Sequence, residues 1–445
     1  MLSASWRESS GPLAERLAAE MRASIGSGRW SPGAPLPSER ELAERAGVSR
    51  TTVNAAVDLL VATGWAVRHT RARPTAALPA ALNQPLAPID ALSDGVIDLR
   101  PARLSAPADL LLDATDRARS QLTPFLLGSG RLPLGLPALR HAIAERWTAQ
   151  GLTTVADQVV VTNGAMGALQ ACLDMRPGTV LVEDPTYQNA VRILLQRRRK
   201  LALWERGAQW DIERLGTALR RYRPSLAYLV PDFHNPTGAL ATNVERWAVG
   251  QVAPAFPDTT WVIDETLREL DLRTTSQPLP RPFATFLPRA ITIGGLSKTM
   301  WSGLRVGWIR MPKPADALAV ASFAEAAPVP VLDQLLALEL WPHLDEVVAI
   351  RVARLRRQRD ALVAQCRQAG LLITVPPGGL ACWIDLGRPV AGAIAEQLGT
   401  EGILVAPGRM FGGAGGYDRF IRMPFTHEPD VVGGAMNRII KLLDR

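Results

Sequence analysis

Lysine is scarce in this chain of 445 residues: it occurs at Lys200, Lys298, Lys313 and Lys441, although basic residues total 50. Each lysine can therefore be asked why it is not arginine. Cys172, Cys366 and Cys382 lack metal-ligand spacing, and three cysteines in so long a chain make no disulfide framework. The 5 histidines are scattered, which argues against a His/Cys metal site. No apolar run reaches the roughly 18 residues that cross a bilayer. The segment MLSASWRESSGPLAERLAAEM has no basic head followed by an apolar stretch, so no secretory signal is expected. These absences point to a cytoplasmic protein that uses neither membrane nor metal. What is present is ordinary globular composition, 47% hydrophobic and 21% charged, with a length that suggests about three domains. A net charge of +8 admits an anionic partner such as nucleic acid.

Residues 11–73 read as a small helical unit. Leu13, Leu17, Met21 and Ile25 recur at helical spacing. Ser38-Glu39-Arg40-Glu41 has the form of a capping box, opening a short helix to Ala46. Gly47-Val48 turns the chain, and Ser49 caps a second helix that carries Val53, Val57 and Leu60 on one face and stops at Gly64. Two capped helices across a glycine turn form a helix-turn-helix pattern. The second helix would present Arg50, Thr51, Thr52 and Asn54, side chains that suit phosphates and base edges; a helical bundle with a solvated polar face has the same pattern.

The stretch LPSERELAERAGVSRTTVNAAVDLLVATGW resembles the winged-helix domain of GntR-family transcription regulators. The resemblance implies a DNA reader over residues 1–73 in which Arg40 and Arg50 meet the backbone and base edges of double-stranded DNA; Ser49, Thr51, Thr52, Asn54 and the wing residue Arg71 are further candidate contacts. The family's wing tip usually contains Gly-x-Gly; here it is Arg68-His69-Thr70-Arg71-Ala72-Arg73, a wing that would act more through charge. Residues 74–95, rich in Pro and Ala, read as a linker that lets the two parts move.

Beyond the linker, residues 96–445 alternate strand-like runs (QVVVTNG, TVLVEDP, LAYLVPD, TWVIDE, AITIGG) with amphipathic stretches such as 211–223. That alternation predicts an α/β domain with a mainly parallel sheet, whose ligand would lie at the carboxyl ends of the strands. The chemical candidates fall there. Asn163-Gly164-Ala165-Met166 opens a helix whose free N–H groups can hold a phosphate. His234-Asn235-Pro236-Thr237-Gly238 is a rigid turn, and Asp264 ends a strand, where it could pair with a cation or cap a helix. Lys298 lies in GGLSKTMWSGLRVGW among apolar residues and glycines. Lysine can form a Schiff base with an aldehyde cofactor and arginine cannot. Ser297 and Arg305 beside it suit a phosphate.

Together these motifs resemble the fold-type I pyridoxal 5′-phosphate (PLP) aminotransferases: a large α/β domain with a mixed, mostly parallel sheet and a smaller C-terminal α+β subdomain, about 335–445. The resemblance implies that Lys298 holds PLP covalently, with Asp264 at the pyridine nitrogen and Asn235 at the phenolic oxygen. Tyr187 would stack on the ring, residues 163–166 with Ser297 and Arg305 would bind the phosphate, and Arg422 would clamp an α-carboxylate. Three departures bear on turnover. The tyrosine usual shortly after the aspartate is replaced by Thr266 and Leu267, which leaves Thr266 as the candidate neighbour of the cofactor. Ser-x-Ser-Lys becomes Gly295-Leu296-Ser297-Lys298, and residues 126–134 hold no tyrosine to reach across a dimer.

A GntR-type reader joined to an aminotransferase-like domain resembles the MocR-like transcription regulators. That resemblance implies a PLP-dependent homodimer that reads paired half-sites and senses PLP or an amino-acid-like or amine effector. A working aminotransferase with an appended reader is the alternative, and a regulator that has lost PLP is a third. The charge is unevenly placed: residues 1–80 hold 10 basic and 7 acidic residues, whereas residues 187–223, with the run Arg197-Arg198-Arg199-Lys200, hold 10 and 3. This second segment reads either as a solvated helix face or as a surface against which bent DNA lies.

Overall fold

The computed structural model describes residues 6, 11–26, 30, 34–70, 72–77, 96–207, 209–324, 327–412 and 417–444. In the reader, α1 (Leu13–Gly26), α2 (Glu39–Ala46) and α3 (Arg50–Ala62) enclose Leu17, Met21, Ile25, Leu42, Val53, Val57, Leu60 and Trp65. Leu13, expected on the buried stripe, is exposed at the first turn of α1. Ser38 caps α2 by accepting from the Glu41 N–H at 3.2 Å. The Glu41 carboxylate reaches forward to Arg45 at 2.5 Å, so half of the expected capping box forms. Gly47 takes the left-handed conformation, φ 60°, that lets α2 end and the turn begin. Ser49 caps α3 through the Thr52 N–H at 3.1 Å.

The wing is an antiparallel hairpin of β1 (Ala66–His69) and β2 (Ala72–Ala76). It carries the reader past the expected boundary at Arg73, because Leu36 N–H donates to the Pro74 carbonyl and Ala77 N–H to Trp65, at 2.8 and 2.9 Å. The remainder of the expected linker, 78–95, lies outside the described residues, as does Arg71.

The large domain is built on β4 (Val159–Asn163), β5 (Thr179–Asp184), β6 (Lys200–Glu205), β7 (Leu226–Leu229), β8 (Thr260–Asp264), β9 (Ile291–Gly295) and β10 (Val306–Arg310), in the spatial order β4-β10-β9-β8-β7-β5-β6. Pairs from β6 through β9 are parallel, whereas β10 runs antiparallel to both neighbours. The start of β10 therefore lies at the same edge as the carboxyl ends of the others. Strands such as VVVTN and TVLVED are buried on both faces by helices, which explains their continuous apolar runs.

The small subdomain combines the antiparallel set β11 (Leu372–Ile373), β12 (Ala381–Asp385), β15 (Phe420–Pro424) and β14 (Ala406–Pro407) with a parallel pair of β13 (Ile403–Leu404) and β3 (Ile97–Asp98). Two corrections follow. The subdomain recruits β3 from the start of the domain, so it is not purely C-terminal. Its boundary also falls later than residue 335: Leu335, Leu340, Leu344 and Val347 belong to the large-domain core, and the long helix Leu344–Gln368 enters the small core at Leu355.

The basic segment is partly neutralised. Arg197 is bidentate to Asp174 at 2.9 and 3.2 Å, Arg214 meets Glu205, Arg206 is buried against Glu183, and Arg221 meets Glu20 of α1. Among the described residues no helix is long and apolar enough to cross a membrane, and no His/Cys/Asp/Glu cluster suits a metal.

The role of Ser49 as a cap is testable. Ser49→Ala should weaken α3 by about 1 kcal/mol, read as faster amide exchange in the first turns of α3, whereas Ser49→Asp should retain most of the protection.

Candidate functional site

The sheet brings the candidates to one edge. Asn163 ends β4, Asp184 ends β5, Asp264 ends β8, Gly295 ends β9 and Arg305 precedes β10. Three glycines let these ends converge. A Cβ on Gly307 would lie 2.4 Å from the Gly164 carbonyl carbon, and one on Gly295 would lie 3.2 Å from the Gly307 Cα and 3.6 Å from the Ala165 nitrogen. β9 and β10 thus pass directly under the first turn of the helix Gly164–Met175. Asn163 makes no side-chain cap there, which leaves the Gly164, Ala165 and Met166 N–H groups for an anion. Arg305 stands beside this turn, its Nε donating to Asn163 Oδ1 at 3.3 Å. Ser297 is nearby in sequence but its hydroxyl donates to the Leu304 carbonyl at 3.4 Å. This is an arginine and a helix N-terminus aimed at one place, a donor set that fits a phosphate.

Asp264 is held from both sides. Its Oδ2 accepts from the Tyr228 hydroxyl at 2.6 Å; its Oδ1 accepts from the Thr266 hydroxyl at 2.6 Å and the Thr266 N–H at 3.0 Å. Thr266, expected to stand in for a tyrosine beside the cofactor, instead spends its hydroxyl on Asp264. Tyr228, from β7, is a residue that sequence reasoning missed. Burial and the Asp264 charge push its phenol well up, so it stays a neutral donor.

Lys298 Nζ donates to the Ala102 carbonyl at 3.2 Å. Burial, aided by the positive charges of Arg422 and Arg103 and opposed by Asp264, pulls its amine down to about 8. A lysine so depressed is a competent nucleophile near neutral pH. Tyr187 immediately precedes the helix Gln188–Gln196, and its hydroxyl accepts from Asn189 at 2.8 Å. The Asn235 turn is closed by His234 N–H to Ala239 at 2.8 Å and by Gly238 at φ 72°, where a Cβ would strike Pro376 at 2.5 Å.

Arg422, on β15, is buried, and its guanidinium lies 4.9 Å over the Phe411 ring. It donates to the Arg100 carbonyl and, at 3.4 Å, to Asn235 Oδ1. Its Nε is buried without a partner, and among the described residues no carboxylate hydrogen-bonds it. Burial pulls it down to about 10. A buried guanidinium lacking an acid is costly unless a ligand supplies the anion. Lys298 lines a small cavity with Ala102, Phe233, Asn235, Leu267 and Leu380, and Arg422 reaches the Asn235 side chain of that lining. Lys298, Asp264, Arg305, the uncapped helix turn and Arg422 together fit PLP with an attached amine ligand. Arg103, exposed on the strand-to-helix connection, adds positive field at both Lys298 and Tyr187 and was also missed.

The reader's polar face is more selective than expected. Arg40, Ser49, Arg50 and Thr51 are exposed, and Arg40 and Arg50 line an open groove with Gly47 and Ser49. Ser49 and Thr52 hydrogen-bond each other at 2.8 Å, and Asn54 donates to Glu39 at 3.1 Å, so these three act within the reader. Arg68 of the wing meets Asp58 of α3 at 2.5 Å.

Comparison with known proteins agrees with this geometry. Residues 131–439 match the family described as aminotransferase class I and II, and residues 13–73 match bacterial regulatory proteins of the gntR family. The chain is 27% identical over 445 residues to the HTH-type transcriptional regulator YdcR of Escherichia coli (strain K12), covering 92% of this chain and 94% of that one. It is 28% identical over 392 residues to the vitamin B6 salvage pathway transcriptional repressor PtsJ of Salmonella typhimurium, covering 85% and 86%. Among solved structures, LysN of Thermus thermophilus, an α-aminoadipate aminotransferase complexed with N-(5′-phosphopyridoxyl)-L-leucine, superposes with a TM-score of 0.70 at 23% identity, over 82% of this chain and 96% of that one. The C-terminal domain has the fold of PLP-dependent aminotransferases.

Two outcomes are expected. Because the neutral amine is the nucleophile, PLP capture by the apo chain should speed up as pH rises through about 8; Arg422→Gln removes a positive neighbour and should move that midpoint upward, as read by stopped-flow absorbance. Tyr228→Phe and Thr266→Val should each weaken PLP retention by roughly three- to tenfold, the worth of one hydrogen bond, as read by dialysis against graded PLP.

Proposed function

The chain belongs to the aminotransferase class I and II family and carries a gntR-family reader ahead of that domain; on that premise we propose that it is a MocR-like, PLP-dependent transcription regulator whose aminotransferase-like domain senses an amine. The carrying observation is Arg422: a buried guanidinium without a carboxylate partner, hydrogen-bonded to Asn235, which lines the same cavity as Lys298. The ligand class that satisfies both is an amine bearing a carboxylate. PLP, when bound, supplies an aldehyde that can exchange the lysine for a ligand amine. Lys298 gives up and retakes that position, Asp264 holds the ring nitrogen's proton, and Arg422 orients the ligand's carboxylate. Arg305 and the turn at Gly164 would anchor the phosphate, and Tyr187 and Asn235 would flank the ring. Arg40, Arg50 and Thr51 meet DNA, while Ser49, Thr52 and Asn54 fix the helix that carries them.

A homodimer fits the surface. Leu126 and Leu127 are 69% and 92% exposed and Leu112 is 66% exposed; such apolar side chains favour a covering partner. Two readers would then meet paired half-sites. The name of the Salmonella relative favours PLP itself as one signal. The thinned tyrosines favour sensing over turnover, the alternative being a working aminotransferase.

The test is to recover bound DNA from cells and footprint it with and without PLP. Protection that changes with PLP supports the reading, and Arg50→Ala should cost about 1–3 kcal/mol of specific binding. Multiple turnovers of amino transfer to a 2-oxo acid at an enzymatic rate would overturn it in favour of the alternative.

A further inference from the structure

The reader does not hang free of the aminotransferase-like domain. α1 lies against the edge strand β6. Glu20, its side chain 4% exposed, receives Arg221 at 2.5 Å from the helix Ile212–Tyr222, 201 positions away in the chain. Two residues later, half-buried Arg22 feels the charges of Asp184, Glu205 and Tyr417. Asp184 and Glu205 end β5 and β6 of the large domain, whereas Tyr417 belongs to the small subdomain. α1 therefore sits on β6, whose last residue Glu205 pairs with Asp184 at the end of β5.

That pair leads directly to the site. Asp184 is three residues before Tyr187, and between them Thr186 N–H donates to the Phe411 carbonyl at 2.8 Å. Tyr417 packs on Trp383, with ring centroids 6.1 Å apart; Trp383 meets Phe411 edge-on at 5.8 Å; and Phe411 lies under Arg422 at 4.9 Å. Glycines enforce this path: a Cβ on Gly408 would lie 2.1 Å from the Tyr417 carbonyl, and one on Gly412 would lie 2.1 Å from the Tyr417 ring. Rigid packing of this kind transmits a displacement rather than absorbing it.

We propose that α1 is the contact through which the site controls the reader: Glu20 on Arg221 fixes it to the large domain, and a shift of the small subdomain driven through Arg422 and Phe411 reaches it by the Thr186–Phe411 hydrogen bond and the β5–β6 pair, changing how the reader is seated. The proposal rests on the sensing function above and adds the route. The small subdomain is then the element that both sites would bias, as allosteric coupling requires. In the seated state Arg40, Arg50 and Thr51 face solvent. Seating thus orients the reading face without covering it, and for paired half-sites orientation sets the effective concentration of the second reader.

The experiment uses the full chain with spin labels on Ala55→Cys and Glu213→Cys, both exposed positions, and measures their distance distribution by double electron–electron resonance. The three native cysteines are buried. The probe is PLP, added to the apo chain, with its capture followed by absorbance in the same samples. The unsubstituted pairing should give a narrow distribution that shifts when PLP is added. Glu20→Arg and Arg221→Glu should each broaden it, and the double substitution, which restores opposite charges, should recover the narrow, PLP-responsive form. A Glu20→Arg distribution identical to the parent's overturns the seating. A narrow distribution that PLP leaves in place, while absorbance shows capture, overturns the coupling and leaves the sensing function to its own test; absence of capture in the parent counts against that function instead.

Discussion

The site depends on how two pairs of adjacent acids divide their work. Asp264 ends β8 and serves the site while the next residue, Glu265, turns into the core; Glu183, before Asp184 at the end of β5, is likewise buried. Glu265 and Asp232 hold Arg246 at 3.3 and 2.5 Å, all three fully buried, and Arg268 approaches Asp232 at 3.5 Å. Glu265 also accepts the Phe283 N–H at 2.9 Å. Asp232 precedes Asn235 by three residues, so this network fixes the Asn235 turn relative to Asp264. Glu183 does the same on the other side, binding Arg206 at 3.0 Å, the Trp210 indole at 2.9 Å and the Val230 N–H at 2.7 Å. Burial is the first cause that raises both carboxyl groups, Glu265 to about 7, and the arginines oppose it. Removing one member of such a network leaves a buried charge unpaired, at about 3–5 kcal/mol. The geometry at the strand ends is therefore stiff because the charges behind it cannot be released singly.

That stiffness explains what the sequence made legible. Strands buried on both faces read as apolar runs, and β4, β5, β7, β8 and β9 stand where TNG, VEDP, LVPD, VIDE and TIGG end them. Lys298 stood out by the scarcity of lysine, and its depressed amine has the same cause as its conspicuous context, an apolar pocket with two arginines nearby. Tyr228 was illegible for an opposite reason. It comes to Asp264 from a neighbouring strand, 36 positions earlier, and register between parallel strands is a property of the whole sheet. Arg305 could be tied to the phosphate by resemblance, but the antiparallel course of β10 is what puts it at the carboxyl edge. The small subdomain was misplaced because β3 pairs with β13 across some 300 positions and because a continuous helix, Leu344–Gln368, carries no break where the cores change.

The electrostatics of the cavity narrow what it can hold. Lys298, Arg422 and Arg103 place three cationic groups around one carboxylate, Asp264. Arg100, a fourth, is satisfied by Asp98 at 2.8 Å and does not face the ligand. His234, beside Glu183 at 3.7 Å, is driven neutral by burial and by Arg206, so it adds no charge. An excess of buried positive charge is tolerated when a ligand brings anions, and phosphate with carboxylate is such a ligand. The wall made by Phe233, Leu267 and Leu380 then leaves the ligand's remaining surface to apolar contact.

The chain's basic excess can now be read by position. In the segment 187–223, Arg197, Arg206, Arg214 and Arg221 are spent on Asp174, Glu183, Glu205 and Glu20. Two of these pairs, Arg206 and Arg221, are shielded from water, where a charge pair orders structure more than it attracts a distant polyanion. Arg221 in particular is consumed by the reader itself. A region that looked in sequence like a platform for DNA is thus in part a platform for the domain that reads DNA, while Arg198, Lys200, Arg220 and Arg223 remain exposed within it.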